Sequence, residues 1–88
     1  MSRADIFEKR LEKAAKSENP LSFAIVCYQS IRESPLFNEY KVSDRDKMEE
    51  LVKDSIVSAA IILENLYGWE SDKISDFLKH MQELTKEI

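Results

Sequence analysis

Eighty-eight residues, 43% hydrophobic and 34% charged, make one domain with a single modest core and exclude a disordered chain. One Gly and two Pro are too few for the turns of a sandwich or barrel, and a single Gly excludes a Gly-rich phosphate cradle. One Cys excludes an internal disulfide framework, one Cys with one His excludes the usual zinc patterns, and a net charge of −4 gives no basic footprint for phosphate backbones.

The first predicted helix covers residues 3 to about 16. Ser2 and Asp5 stand at capping-box spacing, and Ala4, Phe7, Leu11, Ala14 and Ala15 recur at steps that place them on one helical face. The opposite face is charged, and Glu12–Lys16 is its favourable i,i+4 pair. Asn19-Pro20 then reads as an N-cap followed by a proline in the first turn. The second helix, residues 20 to about 32, is apolar almost all round, which places it inside the bundle. Residues 23–28 would also suit a strand, but no partner strand is evident. Within that run Cys27 reads as a buried, reduced thiol.

Ser34-Pro35 breaks the chain again. Leu36, Phe37 and Tyr40 follow at spacings that fit one or two helical turns, so residues 35–40 read as a short helix or ordered loop whose aromatics cap the core. Ser43 and Asp46 repeat the capping-box spacing and open the longest periodic segment, residues 44 to about 67. Its stripe includes Met48, Val52, Ile56, Leu63, Leu66 and Tyr67, and the lone Gly68 lies just past it as a left-handed terminator. Trp69 is then expected to fold back near Leu63. Ser71 is read as the cap of a last helix, residues 72 to about 86, with Ile74, Phe77, Leu78, Met81, Leu84 and Ile88 as its stripe.

Little catalytic chemistry can be assembled from these residues. Nucleophilic catalysis needs a nucleophile, a base and a group that orients the base. Cys27 lies in a core-like run, and His80 sits off the centre of its stripe, as a surface or boundary side chain. No catalytic, cofactor or metal residue is assigned, and the chain is read as no enzyme. Residues 1–20 carry five basic and four acidic groups, residues 44–67 three basic and six acidic. The last two helices have the outline of a helix-turn-helix reader, the second functional reading. The start of the reading helix, however, would offer Asp72 and Asp76 where Arg, Lys, Asn or Gln should meet bases.

The most informative feature is the long helix at residues 44–67. At 100° per residue Val57 and Ile61 fall opposite its main stripe, while Leu51 and Ile62 widen the stripe on another side. Either this helix is central, with the first two helices on one side and the last on the other, or its extra apolar residues are exposed for a partner or a second copy. Leu51, Val57, Ile61 and Ile62 are therefore the candidate protein interface.

The run Leu63-Glu64-Asn65-Leu66-Tyr67-Gly68-Trp69, followed by Ile74, Phe77 and Leu78, resembles the end of short helical accessory proteins encoded by phages of Gram-positive bacteria. The resemblance covers the last third of the chain. It implies an origin and carries over no site residue and no activity.

The sequence thus predicts an all-α, compact four-helix bundle, with a short extra helical turn between the second and third helices, as one domain over residues 1–88. The expected function is protein interaction, by self-association or through a partner protein, with no cofactor. With no apolar leader at the N-terminus and no apolar run long enough for a bilayer, a cytoplasmic location is expected.

Overall fold

Among the described residues five helices follow one another: α1 Arg3–Lys16, α2 Pro20–Arg32, α3 Pro35–Ser43, α4 Arg45–Asn65 and α5 Ser71–Thr85. The structure, a computed structural model, describes residues 3–86, with residues 3–5 and 7 described by backbone only. The predicted Ser2–Asp5 cap, the core placement of the Ala4 and Phe7 side chains, and Ile88 lie outside the described residues.

The all-α expectation holds, but four helices become five. The segment after Pro35 is a full nine-residue helix, because Pro35 pre-sets the first turn and Phe37 is buried. It runs past Tyr40 to Ser43, whose hydroxyl donates to the Glu39 carbonyl at 2.8 Å. Ser43 therefore closes α3 and does not open α4. Asp44, in extended backbone, is the hinge between them. One of its carboxylate oxygens accepts from the Asp46 and Lys47 amides at 3.1 and 3.2 Å, the N-cap that the sequence reading had given to Ser43.

The other punctuation is as the residue types require. The Asn19 side chain accepts from the Ser22 amide at 3.1 Å and caps α2, with Pro20 in its first turn. Between α1 and α2 the chain turns through Glu18, a non-glycine residue in the left-handed region at φ 56°, which the sequence did not signal. Gly68, at φ 67°, is the left-handed residue after α4, and the Trp69 amide folds back onto the Leu63 carbonyl at 3.0 Å. Ser71 is the first residue of α5 and not its cap. Glu70 holds the cap position through its backbone, whose carbonyl accepts from the Ile74 amide at 3.1 Å.

The central element is α2, which packs against α1, α3, α4 and α5. Residues 23–28 are helical throughout, so their β-branched and aromatic content serves packing and no strand forms there. The core closes around Leu63, Phe77 and Met81, all fully enclosed. The Phe23 ring meets Phe77 edge-on at 5.3 Å and Trp69 at 5.8 Å. Trp69 ties the α4–α5 corner to the end of α1: its indole N–H donates to the Ala15 carbonyl at 3.0 Å, a buried bond. Ala14 and Ala15 are small enough to let that corner approach.

Helix α4 packs on α2, α3 and α5 through Met48, Val52 and Leu63. It lies to one side of the interior, so the central-helix alternative gives way to the exposed one. Leu66, predicted in its buried stripe, is 72% exposed. It follows the last helical residue, where the chain turns off toward Gly68 and no packed neighbour covers it. Among the described residues no helix is long and apolar enough to cross a membrane.

Candidate functional site

The helical pitch of α4 sorts its apolar residues into three lanes. One lane enters the core. A second carries Leu51, Ser55, Ala59 and Ile62 toward α1 and α2, where they line a groove of about 540 Å³. Its far wall is Leu11 of α1 and its floor includes Phe23, Cys27 and Ile31 of α2. Leu66 and Tyr67 close one end, and Ser30 and Ser34 lie on the α2 side. The volume falls in the range of sites that hold a small apolar ligand or a few large side chains.

The third lane points away from the core. It holds Val57 and Ile61, each about half exposed. Val57 also lines a second groove of about 470 Å³ between α4 and α5, with Val52, Ile56 and Leu78. That groove is bordered by charges of both signs, including Arg45 and Glu49, whose side chains meet at 3.5 Å. Ile61 stands on the ridge between the two grooves.

The four predicted interface residues are thus divided. Leu51 and Ile62 line the α1/α2/α4 groove, Leu51 half-buried in its wall and Ile62, 48% exposed, at its lip. Val57 lies on the other side of the ridge. Leu66 was read as core and is exposed, whereas Leu11 and Phe23 pack on or in the core as their stripes predict and also line the groove, which their spacing does not signal. A signal was present in Ser55, Ser58 and Ala59. Small side chains between Leu51 and Ile62 leave a channel where a large residue would have filled it.

The charged residues of the groove lining are Glu8 and Glu12 of α1. The Lys16 ammonium lies 2.9 Å from Glu12, and its hydrogen bond and charge hold the Glu12 carboxyl below its ordinary value. Cys27 is buried in the floor, and burial pushes its thiol up to about 11, so it is protonated at neutral pH. His80 is half-buried on α5, at the boundary expected of it. At the start of α5, the Lys73 ammonium lies 3.1 Å from Glu18, while Asp72 and Asp76 are exposed. Among the described residues no group of three or more His, Cys, Asp or Glu side chains is placed to hold a metal ion.

Comparison with protein-family models, curated proteins and solved structures finds no match for this chain.

Proposed function

We propose that this chain is a small, non-enzymatic, cytoplasmic protein-interaction module that docks protein through α4 and the groove beside it, either a second copy or a partner. One observation carries the reading: Val57, Ile61, Ile62 and Leu66, four large apolar side chains on one helix and its end, are each about half exposed or more. Singly exposed apolar residues are ordinary, but two pairs one turn apart, Val57 with Ile61 and Ile62 with Leu66, beside apolar grooves are a mark of a contact surface. The resemblance of residues 63–69 and the following stripe to phage accessory proteins supports a phage origin for such a module.

Light scattering across micromolar to millimolar concentration tests the self-association arm, and selection from a displayed library of helical peptides tests the partner arm. Val57→Glu with Ile61→Lys, and separately Ile62→Ser with Leu66→Ser, should keep the helical circular dichroism signal because all four side chains are exposed. At least one pair should abolish association or peptide capture. A chain that stays monomeric and selects no helical peptide would overturn the reading.

A further inference from the structure

We propose that the α1/α2/α4 groove takes an amphipathic helix of a different protein, one whose apolar stripe is flanked by Lys and Arg. This rests on the interaction reading above and names the partner's chemistry.

The shape of the groove suits a helix laid across its mouth. About 540 Å³ cannot enclose a helix but can receive the few large side chains that a helix presents at i, i+3, i+4 and i+7. Ile62 and Leu66 stand one turn apart along the lip, 48% and 72% exposed, and would pack against that stripe. Ser58, small and exposed, leaves room for a helix backbone to come close.

Charge decides which helix. On the α1 lip the two lining charges, Glu8 and Glu12, are both acidic, and only Glu12 is paired. On the α4 side Asp54 lies one turn before Ser58, and Glu50 one turn before Asp54, both exposed. Glu8, Glu50 and Asp54 make no ion pair among the described residues. Of the cations on α4 near these carboxylates, Lys47 lies over the Tyr40 ring at 6.0 Å and Lys53 lines the groove on the α5 side. An apolar channel bordered by the unpaired Glu8 carboxylate, with Asp54 one turn from its Ser58 wall, attracts a helix with basic flanks and repels an acidic one.

The same charges argue against the other occupants. A two-fold dimer through this face would set these carboxylates against those of the second copy. The chain's own basic face, Arg10 and Lys13 on the outside of α1, offers among the described residues one large exposed apolar side chain, Ile6, too little to fill the groove of a neighbouring copy. Nucleic acid and anionic lipid carry the same sign as the carboxylates beside the groove.

The test uses three fluorescent peptides of about 18 residues that share one Leu stripe at helical spacing and carry Lys, Gln or Glu at every other position. Their binding to the full chain is read by anisotropy at low and at near-physiological salt. The Lys peptide should bind at least about tenfold more tightly than the Gln peptide, with the gap narrowing as salt rises, and the Glu peptide should bind weakest. Glu8→Gln with Glu12→Gln should shrink the Lys preference, read as the ratio of Lys-peptide to Gln-peptide affinity on the same variant. Ile62→Ser with Leu66→Ser should weaken both peptides about tenfold without loss of helical signal.

Equal affinity for the Lys and Gln peptides would overturn the basic-flanked partner and leave the interaction reading standing. Lys-peptide binding undiminished by Ile62→Ser with Leu66→Ser would remove the groove as its seat. If no peptide of any charge binds and the chain stays monomeric, both readings fall.

Discussion

Replacing Trp69 by Phe probes the point where the α4–α5 corner locks onto the rest of the fold. Trp69 is 3% exposed, its indole N–H donates to the Ala15 carbonyl at 3.0 Å, and its ring meets the Phe23 ring edge-on. Phenylalanine keeps an aromatic ring but has no donor and fills less space. The lost hydrogen bond costs about 1 kcal/mol, and not more, because the Ala15 carbonyl still accepts from the Glu18 amide at 3.2 Å. The missing ring atoms and the cavity they leave add roughly 1–2 kcal/mol. The sum, about 2–3 kcal/mol, corresponds to a fall in Tm of roughly 10–20 °C for a domain of this size. Urea unfolding followed by far-ultraviolet circular dichroism measures it directly, with Val42→Ala as the control, since Val42 is 90% exposed and should change stability by less than about 0.5 kcal/mol. A Trp69→Phe loss below about 1 kcal/mol would refute the corner as a buried, hydrogen-bonded lock.

Three further outcomes are expected. Gly68→Val should cost roughly 1–2 kcal/mol by thermal unfolding, and since a Cβ at Gly68 would meet nothing within 4 Å, the cost is one of backbone conformation, so Gly68→Asn should recover most of it. Asp44→Ala should cost about 1 kcal/mol through the lost cap of α4, whereas Ser43→Ala, which removes a bond within α3, should stay within about 0.5 kcal/mol; equal costs would contradict the assignment of the cap to Asp44. Folding raises the Cys27 thiol from 9.0 to about 11, so the folded chain keeps a proton that the unfolded chain releases. That contribution is intact below about pH 9 and is lost as pH climbs from 9 toward 11, so wild type should lose more stability across this window than Cys27→Ala, by up to about 2–3 kcal/mol. Parallel curves for the two chains would show that the thiol is not buried.

The helices were legible because their boundaries are written in local chemistry. Asn19-Pro20, Gly68 and the spacing of Ile74, Phe77, Leu78 and Met81 each act within one or two turns, and each element lies where those residues put it, to within a residue or two. What was not legible depended on tertiary contacts. Whether residues 35–43 close into a helix depends on Phe37 finding the core, and the competition between Ser43 and Asp44 for the cap depends on where the preceding helix ends. The turn through Glu18 carries no glycine and so no signal. The surface was half legible. Val57 and Ile61 are opposite the core stripe on any helical wheel, and they are exposed. Leu66 shares its spacing with buried residues yet is exposed, and that the buried Phe23 also floors a channel follows only from how α1, α2 and α4 are placed.

An α1/α2/α4 groove that is open to a partner in solution is the premise of both proposals. Amide chemical shifts of the ¹⁵N-labelled chain, followed during titration with the Lys-flanked Leu peptide, test it most directly. Shifts centred on Leu11, Leu51, Ser55, Ser58, Ile62 and Leu66, with α5 unmoved, are expected. Shifts centred instead on the α4–α5 side, at Ile56, Leu78 and Gln82, would contradict it.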